Sequence, residues 1–168
     1  MSEGAEASLG QRRRAARLAA VQALYQMELA ASTADDVIGE FADRRDAGGD
    51  EGLTPREVDG DLFDDLVRGV ASRIEEIDGV IVDALTSAWK IDRLELLVRL
   101  ILRAGAYELI SRADIDPPLT INEYVEVANA FFEGGEGAFV NGVLDGLAQR
   151  LRADEMGDRA GERPPTNG

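Results

Sequence analysis

Apolar positions along the chain recur at steps of three and four residues, and no segment alternates as a half-buried strand does. Leu18, Val21, Tyr25 and Leu29 keep this spacing and predict a first helix over 11–31. A short second helix is expected over 35–42. The segment DRRDAGGDEGLTPREVDG then gathers glycine, acid and a proline, and reads as an acidic loop at about 43–60. Helical spacing resumes near Gly60 with Phe63, Leu66, Val67, Val70, Ile74 and Ile77, and runs on through Ile81 and Leu85 towards Trp89. Gly79 is expected to bend or divide this element. Asp92 fits the cap of a further helix carrying Leu94, Leu97, Ile101, Leu102 and Leu109, with its stop at Pro117-Pro118. Thr120-Ile121-Asn122-Glu123 matches a capping box and predicts the start of the next helix. After the glycine-rich turn in FFEGGEGAF, Phe139, Val140, Val143, Leu144, Leu147 and Leu151 form the last apolar stripe.

The pattern predicts an all-α protein, a compact helical domain of two three- to four-helix lobes at about 11–90 and 91–152. Residues 1–10 and 153–168 have little to bury and are expected to be disordered extensions.

Composition narrows the chemistry. The 168 residues contain neither cysteine nor histidine, which removes disulfides, thiolate metal sites, the usual general base and the usual nitrogen ligand. No phosphate-cradling GxxxxGK[ST] or GxGxxG motif is present, and neighbouring acids such as Asp64-Asp65 point to different sides of a helix. An enzyme, a metal site and a bound cofactor are therefore not expected. With neither a long apolar run nor an N-terminal apolar core, a cytoplasmic protein with no membrane span is expected.

Charge changes the picture further. Thirty-three acids face 18 bases, a formal −15, which by itself argues against unaided binding of nucleic acid. The charge is segregated, however. From Asp35 to Asp65 twelve acids accompany three arginines, whereas Gly10 to Gln26 holds Arg12, Arg13, Arg14 and Arg17 and no acid. On a helical wheel Arg13, Arg17, Arg14 and Tyr25 fall within an arc of about 120°. Arginine suits phosphate because its planar fork donates two parallel hydrogen bonds, and a tyrosine ring can stack on an unpaired base. Ion pairing with the acidic half and simple solvation remain open for the same arginines, and Tyr25 alone also fits a half-buried core position. Elsewhere, Arg99 and Arg103 fit snorkelling or pairing with Glu95 or Glu108. Phe139 fits an ordinary core position, and Asn141 fits a residue that satisfies a free group near a helix end.

Taken together, RRRAARLAAVQALYQMEL, RLILRAGAYEL, INEYVEVANAFF and FVNGVLDGLA resemble the NusB transcription antitermination family, in its order and at its spacing over about 11–152. The resemblance implies an all-helical protein that acts by binding. It implies pairing with the ribosomal protein NusE, recognition of single-stranded boxA RNA in nascent ribosomal RNA, and work within an RNA polymerase antitermination complex. No small-molecule substrate is implied. RNA contact is implied for Arg13, Arg14 and Arg17 with Arg12 just outside, for Gln22 and Tyr25 in QALY, and for Phe139 and Asn141. Partner contact is implied for Arg103, Tyr107 and Glu123. The chain departs from the pattern at Gly135-Glu136-Gly137-Ala138 and at Asn129, both of which remove positive charge from the implied RNA side. Two other readings stay open: a targeting module of the kind found beside ribosomal-RNA methyltransferases, and an adaptor that binds protein only.

Overall fold

A computed structural model describes residues 7–46, 58–85, 90–154 and 156. Most of the expected tails, the middle of the acidic loop and Trp89 lie outside the described residues. Seven α-helices and no strand occur among the described residues. The chain divides into two compact units, Met1–Arg73 and Ile74–Gly168.

The first unit begins with α1, Leu9–Ala30. Its start lies upstream of the position that apolar spacing implies, because Ser8 and Gln11 form a reciprocal cap. The Gln11 N–H donates to Ser8 Oγ at 3.1 Å and the Ser8 N–H donates to Gln11 Oε1 at 2.8 Å. The helix ends at Ala31, whose φ of 52° lies in the left-handed region. A second reciprocal cap, Thr33 with Asp36, opens α2, Ala34–Asp46. Helix α3, Gly60–Ser72, is capped by Asp59, whose Oδ1 accepts from the Leu62 N–H at 3.1 Å. The core of this unit lies mainly between α1 and α3. Ala16, Ala20 and Leu24 face it from α1, and Leu62, Leu66 and Val67 from α3, all of them buried. Each such leucine contributes about 1.5–3 kcal/mol on burial. Phe41 of α2 stacks on Phe63 with ring centroids 4.3 Å apart, which fastens α2 to this core.

Helix α3 stops at Arg73, whose N–H reaches back to the Gly69 carbonyl, which also accepts from the Ser72 hydroxyl. The expected division at Gly79 does not occur. Gly79 lies inside α4, Ile74–Ala84, since an interior glycine costs a helix only about 1 kcal/mol. This helix belongs to the second unit, where it packs on α5 and α7. The units therefore divide well before the 90/91 boundary that the apolar pattern implies.

In the second unit a 3-10 turn, Ile91–Arg93, precedes α5, Leu96–Ser111. Asp92 sits within that turn and caps no α-helix. Every residue from Leu100 to Leu109 is buried, because α4, α6 and α7 pack around α5. Helix α6, Pro117–Phe131, starts three residues before the predicted capping box. Pro117 and Pro118 open it, since the first turn leaves N–H groups unbonded that proline lacks, and the ring presets φ. Thr120 is therefore buried in the first turn instead of capping it. Helix α7, Glu136–Leu151, crosses α5 closely at Gly105, where a Cβ would lie 2.8 Å from Leu144 Cδ1. Structure continues past α7: Arg152 donates to the carbonyls of Arg112 and Ala113, and Met156 is fully buried. Met156 departs from the expectation that 153–168 have little to bury, while 155 and 157–168 lie outside the described residues.

Candidate nucleic-acid interface

Two stripes run along α1, and its arginines divide between them. Counting 100° per residue, Arg13, Arg17, Ala20 and Leu24 fall within about 60° of one another. Ala20 and Leu24 face the core, so this is the inner stripe. Arg17 accordingly is 1 % exposed and is among the largest fully buried side chains. It is partnered, as a buried charge must be. The geometry corrects the wheel reading, which groups Arg17 with an outward arc. In this fold the Arg17 guanidinium is enclosed and offers no fork to a nucleic-acid strand.

Arg13 stands at the rim of the inner stripe, with its side chain 25 % exposed. Its Nε lies 3.7 Å from Asp59 Oδ2. Asp59 is held on several sides: its N–H donates to the Arg12 carbonyl at 3.0 Å and its Oδ1 caps α3. Its carbonyl accepts from the Phe63 N–H at 3.0 Å. Sequence reading missed Asp59 as a neighbour of the basic turn. The signal was present, an aspartate three residues before the first buried leucine of α3, but a capping role names no long-range partner.

On the outer side, Arg14, Leu18, Gln22, Tyr25 and Leu29 fall within about 80°. Arg14 and Gln22 are exposed, Tyr25 is 38 % exposed and Leu29 is 65 % exposed. Arg12 is half-buried and lies off this stripe, about 160° round the helix from Arg14. This face presents guanidinium, amide and aromatic groups without a carboxylate of its own. It has the means to bind phosphate and to stack a base.

In the second unit Phe139 is half-buried and Asn141 is exposed on α7. Phe139 lines a cleft of about 310 Å³ with Arg93, Leu94, Glu95, Val98, Gly135 and Glu136. Oε1 of Glu136 is buried with no hydrogen-bond partner. Arg93 and Glu136 were not among the expected site residues, because residues from two helix starts meet there only in the fold. Gly137 keeps α6 close to α7: a Cβ would lie 2.4 Å from Asn129 Oδ1.

Arg103, Tyr107 and Glu123 lie inside the second unit, at 8 %, 6 % and 5 % exposure. Arg103 donates to both oxygens of Asp78, at 2.8 and 2.9 Å. Nearby on the same helix, Glu108 accepts from the Tyr124 hydroxyl at 2.5 Å. Tyr107 and Glu123 are engaged there too, so all three sit at a depth where a docking protein finds little of them exposed. Among the described residues no group of three or more acids could hold a metal ion. No helix of the described residues is long and apolar enough to cross a membrane.

A sequence model of the NusB family matches residues 14–149. The transcription antitermination protein NusB of Caulobacter vibrioides is 48 % identical over 142 residues, covering 84 % of this chain and 95 % of that protein. The protein of the same name from Sphingopyxis alaskensis is 46 % identical over 142 residues, with the same coverage. A solved structure of T. maritima NusB superposes with a TM-score of 0.69 at 28 % identity, covering 86 % of this chain and 96 % of that one.

Proposed function

Because the chain belongs to the NusB family, whose named relatives are transcription antitermination proteins, we propose that it binds the single-stranded boxA element of nascent ribosomal RNA together with ribosomal protein NusE. It acts in the cytoplasm, within the antitermination complex on RNA polymerase, and works by binding without catalysis. The observation that carries this reading is the outer face of α1. Arg14, Gln22 and Tyr25 line an acid-free, partly aromatic strip, with Arg12 farther round the helix, on a chain that carries a formal −15. Phe139 and Asn141 supply a second contact region from the other unit.

Few accessible cations mean few phosphate contacts. Two or three of them give a log–log salt slope of only about −1.5 to −2 for a single strand, which is weak binding. The acidic remainder of the surface steers a basic ribosomal protein, and that partner supplies the missing positive charge. Fluorescence anisotropy of labelled boxA RNA tests the reading: adding NusE is expected to tighten binding at least tenfold. Equal affinity with and without NusE would contradict it.

One alternative has an observation in its favour. Burial of Arg17 and pairing of Arg13 take two cations from the surface, as a protein-only adaptor permits. That reading requires no boxA binding in either arm of the same titration.

A further inference from the structure

Asp59 caps α3, and in doing so it sets a carboxylate against the basic, acid-free first turns of α1. Resting on the RNA reading above, we propose that Asp59 is a resident anion on Arg13, which an incoming RNA phosphate must share or displace, and which lowers RNA affinity in the free protein. Three bonds fix the acid in place. Its N–H is bound to the Arg12 carbonyl, its Oδ1 to the Leu62 N–H, and its own carbonyl to the Phe63 N–H. The second oxygen is left to face Arg13 Nε at 3.7 Å. That Nε–Oδ2 separation is an ion pair and not a hydrogen bond.

The two partners differ in freedom. Asp59 cannot follow Arg13 outward without uncapping α3, whereas Arg13 has a long stem at the rim of the core. Its side chain is 25 % exposed, and that of Asp59 is 17 % exposed. A phosphate arriving at Arg13 therefore meets the Asp59 charge in a partly desolvated place, where repulsion is screened less than at an open surface. The pair also ties the basic turn of α1 to the start of α3, immediately after the acidic segment.

Asp59→Asn separates the two duties of the residue. Asparagine caps a helix as well as aspartate does, so α3 keeps its start while the charge is lost. The experiment titrates a labelled single-stranded boxA RNA by anisotropy at several salt concentrations, in the presence of NusE. It uses the full chain as native protein, Asp59→Asn, Arg13→Ala and the double variant. Circular dichroism checks that each is folded. Asp59→Asn is expected to tighten binding about threefold at low salt, as removal of one like charge near a phosphate does. It is also expected to steepen the salt slope by about 0.7, the mark of one further phosphate contact. Arg13→Ala is expected to cost less than twofold in the native background and about threefold when Asp59→Asn is already present, because only there is the Asp59 charge no longer competing with phosphate for it.

Weaker binding by a folded Asp59→Asn protein would overturn the inference, and so would an equal cost of Arg13→Ala in both backgrounds. If Arg14→Ala weakens RNA binding while Asp59→Asn changes nothing, the RNA reading stands and this inference alone falls. If the native protein with NusE binds no RNA, both fall together.

Discussion

Arg14 in the first unit and Arg103 in the second carry the same charge in opposite circumstances. Arg103 is 8 % exposed on a helix buried from Leu100 to Leu109, and Asp78 takes one edge of its fork with both carboxylate oxygens. Arg14 lies exposed on the outer stripe of α1, in line with Gln22 and Tyr25. A guanidinium removed from water requires a matched carboxylate, and once matched it has little left for a ligand. A guanidinium at the surface contributes little to the fold and stays within reach of a phosphate. The second unit thus uses Arg103 to hold helices together, while Arg14 of the first unit is the arginine that the proposed reading assigns to RNA. Arg13 lies between these limits, at the rim of the core and paired with Asp59.

The comparison breaks first where burial is deepest. Asp78→Ala is expected to destabilise the protein by about 2–3 kcal/mol in urea unfolding, because it strands the Arg103 charge while Asp78 itself was partly solvated. Gly105→Ala follows at about 1–3 kcal/mol, since its new methyl group would meet Leu144 at 2.8 Å in the α5–α7 crossing. Arg14→Ala is expected to move stability by less than about 0.5 kcal/mol while weakening RNA binding and reducing the salt slope by about 0.7. A loss of stability as large as that of Asp78→Ala would place Arg14 with Arg103 and erase the contrast.

The smallest effect concerns Asp36. Its carboxyl is held below the usual 3.8 by the Thr33 backbone N–H and then by the Thr33 hydroxyl. A depressed folded value means the unfolded chain takes up the proton first as pH falls. The contribution is complete above about pH 3.8 and is lost as pH falls through the folded value. Native protein and Asp36→Asn are therefore expected to differ in stability at pH 6 and to converge near pH 2, by thermal melts followed at both pH values.

Most of the helical framework is legible in the sequence because apolar spacing reports which side of a helix is inside. The boundaries are less so. Periodicity is blind to caps, and Ser8 with Gln11 extends α1 beyond its first apolar residues. A proline pair is compatible both with the stop of one helix and with the first turn of the next, and the fold uses it for the second. At the candidate site one signal is available: Arg13, Arg17, Ala20 and Leu24 follow the steps of a single stripe. Following that stripe inward separates Arg17 from Arg14 on sequence alone. What no spacing reveals is a long-range neighbour. Asp59 beside Arg13, Asp78 on Arg103 and Arg152 on the carbonyls after α5 all join residues far apart in the chain.

The central claim is that the outer stripe of α1 touches RNA. Ultraviolet crosslinking of 4-thiouridine-substituted boxA RNA to the protein–NusE pair, with the adducts located by mass spectrometry, tests it directly. Adducts within 22–29, on Tyr25 or its neighbours, and their loss in Arg14→Ala are the predicted result. Adducts confined to the second unit, with none on α1, would contradict the account.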